Sequence, residues 1–193
     1  MKEVKIISLS GNIGAGKNYI ADIAVNQFGY KALMLAGLVK SIVCQVEGVS
    51  LEELENRETK EKYRPLIIKY AEKMKEIDPF CFCKYVYHQI LSSLPDKTKI
   101  IVVDLRFPFE SIYFRKLGRC SKCKCEIEHI GIPGYDITFK SLYIESDLAD
   151  KSSKDDSESH YQYFKDTNDG VIFNGTEERY DKDRLLNQLV RFL

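Results

Sequence analysis

Net charge is missing from this chain. Its 193 residues carry 29 lysines and arginines against 29 aspartates and glutamates. Without a positive surplus there is no bulk electrostatic hold on a phosphate backbone, so nucleic acid is not an expected partner and any basic site must be local. Long apolar runs are missing too, so no membrane span is expected. No secretory signal precedes the strand-like run at the N-terminus. Six cysteines are present and unevenly spread. In the absence of a signal they are expected as reduced thiols in a cytoplasmic protein. No internal repeat is visible. The length suits one sizeable α/β domain over residues 1–193. Oligomeric state has no signature here.

What is present begins with Gly11-Asn12-Ile13-Gly14-Ala15-Gly16-Lys17. This is the phosphate-binding pattern G-x-x-x-x-G-K-[ST], complete except that Asn18 takes the hydroxyl position. Val4 to Leu9 reads as a buried strand running into it. Ile20, Ile23 and Ala24 follow at helical spacing, and Gly29 suits that helix's end. Strand, glycine loop and helix N-terminus are what the chemistry needs. Backbone N–H groups wrap a β-phosphate, the helix dipole favours the anion, and Lys17 adds a point charge. Asn18 offers either a hard oxygen ligand to Mg²⁺, directly or through water, or a cap for the first helical turn.

Further along, Lys31 to Ala36 reads as a short strand and Gly37 to Gly48 as a helix. Ser50 can cap the helix beginning at Leu51. Lys60 to Ile77 is a strong helix on the spacing of Tyr63, Ile67, Tyr70, Met74 and Ile77. Asp78 as N-cap and Pro79 at the first position open the next helix, striped by Phe82, Val86 and Ile90 and closed by Pro95. Lys99 to Val103 is a buried strand ending in Asp104, followed by a helix over Glu110 to Leu117. Cys125 to Ile130 alternates weakly, as a strand would. From Ile132 to Tyr163 the chain is polar and reads as a lid-like excursion, with Ser141 to Ile144 helical. Val171 to Phe173 is the last strand, and Arg179 to Leu193 the closing amphipathic helix. Strands alternating with helices predict a three-layer α/β fold with a mainly parallel sheet and helices on both faces.

Asp104 ends a buried strand near the glycine loop, the place where a carboxylate helps hold Mg²⁺. Its alternative is an N-cap for the helix at Pro108. Arg106, two residues on, falls on the same side of an extended segment. It suits charge stabilisation on a moving phosphoryl group, or a structural ion pair. On the long helix, Arg64 and Lys75 lie about 20° apart around the axis and Lys60 about 40° to the other side of Arg64. With small Ala71 between, they form a narrow basic stripe: a phosphate site or a solvated face. Cys120, Cys123, Cys125 and His129 invite a zinc reading. Four ligands within ten residues, two of them on an alternating strand, point apart, and Cys81 and Cys83 sit on opposite sides of a helix. No structural metal is expected there.

Taken in order, these segments resemble the deoxynucleoside monophosphate kinases known from bacteriophages and their relative phosphomevalonate kinase. The matching residues are Gly16-Lys17-Asn18-Tyr19, Ala36 with Leu38 and Lys40, Arg64 before Asp78-Pro79, Asp104-x-Arg106-x-Pro108, Ser157-Glu158 and Asn174-Gly175. The resemblance implies a P-loop kinase that uses ATP and Mg²⁺ to phosphorylate a small-molecule nucleotide: a nucleoside monophosphate, a deoxynucleotide first of all. The alternatives are another small phosphate as acceptor (phosphomevalonate or dephospho-coenzyme A) or a catalytically weak nucleotide-binding module. It places ATP on Gly11 to Tyr19 and Asn174, and the acceptor on Lys40, Lys60, Arg64 and Lys75. Lys17, Asp104 and Arg106 would do the chemistry, with Asn18 and Asp104 at the metal. Two departures stand out. Asn18 replaces the family's Asp, and no arginine lies between Arg119 and Arg179, where related kinases often carry one against ATP. Lys140 is a weak substitute.

Overall fold

The computed structural model describes residues 1–56, 58–94, 96–120, 130–149, 159–176 and 182–193. Its strands are β1 (Lys2–Ser10), β2 (Lys31–Met34), β3 (Lys99–Leu105), β4 (Arg119–Cys120), β5 (Tyr135–Glu145) and β6 (Gly170–Phe173). Its helices are α1 (Lys17–Phe28), α2 (Gly37–Glu47), α3 (Leu51–Glu55), α4 (Lys60–Ile77), α5 (Cys81–Ser93), α6 (Pro108–Arg115), α7 (Tyr161–Thr167) and α8 (Lys182–Val190). The sheet runs β2-β3-β1-β5-β4, and β6 joins β5. Every pairing is parallel. β1 occupies one side of β5, so β4 at Thr138–Phe139 and β6 at Leu142–Glu145 share the other side, one after the other.

Period-two alternation divides the sheet's side chains between two cores. Val4 and Ile6 of β1, Ile100 and Val102 of β3, and Ile137 and Phe139 of β5 face α2, α4, α5 and α6. Ile7, Leu9, Ile101, Val103, Leu142 and Ile144 face α1 and α8. Burial on both faces explains why the central strands read as near-continuous apolar runs.

Local signals set the helix ends. Gly29 and Gly48 close α1 and α2 in the left-handed conformation, at φ 71° and 69°. Ser50 and Glu53 form a reciprocal capping box at the start of α3.

Several expectations are corrected. The polar excursion from Ile132 to Tyr163 is not a lid throughout: Tyr135–Glu145 is the longest strand, and Ser141 to Ile144 are extended within it. The strand is disguised because its polar groups find their partners far along the chain. Ser141 donates its N–H to Asp169 Oδ2 at 2.7 Å, and Lys140 Nζ donates to the Phe192 carbonyl at 2.8 Å. Lys140 is therefore tied to the C-terminus, not to a lid.

Asp78 does not cap α5 directly. Its Oδ1 accepts from the Phe80 N–H at 2.9 Å, and the helix starts at Cys81 after that turn. Ile77 is exposed at the end of α4 rather than packed. The second strand stops at Met34, and α6 begins at Pro108. Pro95, Cys123, Cys125, His129, Ser157, Glu158 and Arg179 lie outside the described residues, as does all of the expected strand Cys125 to Ile130 except Ile130, which is not in a strand.

Candidate active site

β1 delivers the chain into the glycine loop at the sheet's C-terminal edge. Gly11 adopts φ 141°, and a Cβ there would meet the Ile144 carbonyl oxygen at 2.5 Å. Gly16 adopts φ 87° immediately before α1, and its Cβ would strike the Asn174 amide. Only glycine fits either place. Lys17 is 7% exposed, and its ammonium donates to the Gly11 carbonyl at 2.7 Å and the Asn12 carbonyl at 3.0 Å. Tyr143 donates its hydroxyl hydrogen to Asn12 Oδ1 at 2.8 Å, tying the loop to β5.

Asn174 is fully buried and braces the loop from behind, its Nδ2 donating to the Ala15 carbonyl at 2.8 Å. Among the described residues its side chain hydrogen-bonds the loop's backbone alone, so any part it plays at ATP would come through the loop. Asn174→Ala removes one buried hydrogen bond of about 1 kcal/mol, so the Michaelis constant for ATP should rise about fivefold. Steady-state titration of ATP checks this; an unchanged constant would mean that the loop holds its shape alone.

Asp104 is the one residue other than glycine with positive φ among the described residues, at 72°. The β1–β3 register slips there: Leu9 faces Val103, but Ser10 faces Leu105. Asp104 is thus an extra residue in β3, a bulge in a parallel pair. Its consequence is visible in the cores. Leu105 packs with the face that includes Val102, not with the face of Val103 that strict alternation would give it. The bulge puts the carboxylate 3.4 Å from Lys17 Nζ and 3.9 Å from Arg106. Burial works against its charge, but Lys17 and then Arg106 outweigh it and hold the carboxyl below its usual range. Strain of this kind gathers at functional sites. Asp104 is not an N-cap: Phe107 holds the cap position of α6, and Glu110 bonds back to its N–H.

A cleft of about 720 Å³ opens between this edge and α4. Lys17, Asn18, Asp104 and Arg106 line it, together with Lys40, Lys60, Arg64 and Lys75. Six cations thus face one space with four carboxylates, Asp104, Glu110, Glu55 and Glu72. The basic stripe of α4 lines the cleft, with Lys60 exposed and Arg64 and Lys75 half-buried. Lys40 pairs with Glu55 at 2.9 Å, and Arg64, 28% exposed, pairs with Glu61 at 3.5 Å. About 16 Å of helix axis separates Arg64 from Lys75. Lys75 lies over the Phe107 ring at 4.2 Å, beside the Arg106 segment.

Tyr19, Tyr63 and Tyr85 do not line the cleft, and the aromatic residues that do are Phe82 and Phe107. Phe107 and Glu110 were missed by sequence reasoning. The spacing of Glu110 three residues after Phe107 was the available signal, since it is that of a capping acid.

Asn18 makes no side-chain cap to α1, whose N-cap is Gly16; it is exposed and lines the same cleft as Asp104. No cluster of three or more metal-ligating side chains occurs among the described residues. Two oxygen donors without a cage fit Mg²⁺, which prefers one or two carboxylate-type ligands plus phosphate and water.

A sequence model of the phosphomevalonate kinase family matches residues 9–120. The chain belongs to the phosphomevalonate kinase family. The match covers more than half the chain and includes every residue that lines the cleft. No curated protein sequence matches the chain. Two similar solved structures are TT1252 from Thermus thermophilus and dephospho-CoA kinase from Campylobacter jejuni. The first is 17% identical, with a TM-score of 0.51, over 100% of this chain and 99% of its own. The second is 13% identical, with a TM-score of 0.51, over 97% of each. At these identities the likeness is one of fold: an α/β parallel sheet flanked by helices, as this kinase-family chain has.

Proposed function

We propose that this protein moves the γ-phosphoryl group of ATP onto a nucleoside monophosphate, a deoxynucleotide by its motif pattern. Membership of a kinase family supports phosphoryl transfer. The single observation that carries the acceptor class is the cleft: Lys17 and Arg106 at the loop share it with Lys40, Lys60, Arg64 and Lys75. Such a space suits two phosphorylated reactants held end to end.

Phosphoryl transfer depends on positioning and charge neutralisation. Backbone N–H groups from Asn12 to Asn18 and the ammonium of Lys17 hold the β- and γ-phosphates. Mg²⁺, held through Asp104 and Asn18, would neutralise charge between those phosphates. Arg106 faces the oxygens that gain charge in transfer. Arg64 grips the acceptor's phosphate, where its planar fork offers two parallel hydrogen bonds.

A second reading rests on the family match: phosphomevalonate as acceptor. Its phosphate would use the same arginines, and the aliphatic lining of Val39, Leu54 and Ile67 suits its branched chain. ADP release, measured over a panel of ribo- and deoxynucleoside monophosphates, phosphomevalonate and dephospho-coenzyme A, separates these readings. The expected result is turnover with at least one deoxynucleotide. Turnover only with phosphomevalonate or dephospho-coenzyme A would overturn the nucleotide assignment, and none with any would leave a nucleotide-binding module.

A further inference from the structure

Glu110 is the buried acid of the cleft that the reaction scheme leaves unused. It is 5% exposed and stands in the first turn of α6. Its Oε2 accepts from the N–H of Arg106 at 2.7 Å and from that of Phe107 at 3.0 Å. One oxygen therefore fixes two consecutive peptide units. Each unit carries a side chain of the site. The Arg106 guanidinium lies 3.9 Å from Asp104, and the Phe107 ring lies 4.2 Å under the Lys75 ammonium and stacks on Phe109 at 5.4 Å. Turning the Arg106 peptide would move its guanidinium relative to Asp104, and turning that of Phe107 would take the ring from under the Lys75 ammonium.

We propose that Glu110 is a positioning residue: its carboxylate sets the main chain of Arg106 and Phe107, and through them aims Arg106 and Lys75 at the phosphate groups in transfer. This rests on the phosphoryl-transfer reading of the same cleft. An ordinary capping acid sits in water. This one is enclosed, with Arg106 facing it from its own segment, Lys75 from α4 and Cys83 from α5. Burial pushes its carboxyl up to about 7, against the pull of the two N–H donors, Arg106 and Lys75.

Both N–H groups bond the same oxygen, and ionisation turns the two bonds into the shorter, stronger charge-assisted kind. The unfolded chain releases this proton near 4.5 and the folded chain near 7. Between those values the folded state binds more protons, so Glu110 lowers stability as pH rises across that window. The aligned form is gained at the upper end of the same window.

The test uses Glu110→Gln, which keeps the shape and an acceptor oxygen but cannot titrate, and Glu110→Ala. The first measurement needs no turnover: the amide shifts of Arg106 and Phe107 followed by NMR from about pH 5.5 to 8.5. Both should titrate together with a midpoint near 7 in the wild type and stay flat in Glu110→Gln. The second is the ratio of wild-type to Glu110→Gln kcat/KM for the acceptor against pH, in which ionisation of the acceptor's own phosphate cancels. That ratio should rise severalfold from about pH 6 to 8, with KM for ATP unchanged. Glu110→Ala should lose roughly tenfold in acceptor kcat/KM, the scale for removing a group that orients a reacting side chain. Amides that do not titrate together, or a ratio flat with pH, would overturn the proposal. A wild type that phosphorylates no acceptor would sink the functional reading instead, while the amide titration still decides whether Glu110 sets this segment.

Discussion

Lys17→Ala is expected to abolish turnover while the protein stays folded. The ammonium of Lys17 is nearly enclosed, within hydrogen-bonding reach of two loop carbonyls and 3.4 Å from Asp104. Lys17 also lines the cleft in which, on the proposed reading, the loop's N–H groups would hold phosphate oxygens. Removing it takes away charge compensation that grows as the γ-phosphoryl moves. Comparable donors in enclosed sites are worth about 3–4 kcal/mol, or roughly 10²- to 10³-fold in kcat. The fold should survive, because the loop's shape comes from its glycines, from Asn174 behind it and from Tyr143 beside it. Asp104 keeps Arg106 as a partner, so its carboxylate is not left alone. Single-turnover kinetics and a thermal melt on the same preparation decide the matter. Near-normal kcat in a folded variant would mean that the loop does not do the chemistry.

Arg64→Ala should weaken use of the acceptor far more than use of ATP. Arg64 lines the cleft from α4, well apart from the glycine loop in sequence, and among the described residues its side chain pairs with the exposed Glu61 one turn back. Losing a charge-assisted contact of roughly 1.5–3 kcal/mol implies about 10- to 150-fold in kcat/KM for the acceptor. The ion pair with Glu61 is exposed, so its loss should cost little stability. Arg64→Lys should recover only part of the activity, because the planar fork is gone. Two titrations on Arg64→Ala, one varying acceptor and one varying ATP, make the comparison. Equal losses on both would point to a fold defect or a role at ATP. No loss on either would return Arg64 to the solvated face of a helix.

The glycine loop was legible because its signals are local. Gly11 and Gly16 need backbone angles that only glycine takes cheaply, and a buried strand and a helical stripe flank them. The stripe of Lys60, Arg64 and Lys75 was legible because a helix repeats at 3.6 residues and the spacing alone puts the three on one face. That this face looks into a cleft was not legible, since a charged stripe reads the same in water.

β5 was hidden for a different reason. Its polar residues look like loop residues until their partners are known, and those partners, Asp169 and the carbonyl of Phe192, are distant in the chain. Arg106 was placed near Asp104 by simple alternation along a strand. The two are indeed close, but the register slip at Asp104 brings them there, not alternation.

By itself, then, the sequence determined the layered α/β class, the phosphate loop and the identity of the charged residues, because each depends on short-range periodicity or on one residue's own conformational freedom. The tertiary structure alone decided that β5 is a central strand, that a bulge turns Asp104 towards Lys17, and that Glu110 holds the segment carrying Arg106 and Phe107. Those depend on which distant backbone lies alongside, and a buried polar group shows its role only through the partner that satisfies it.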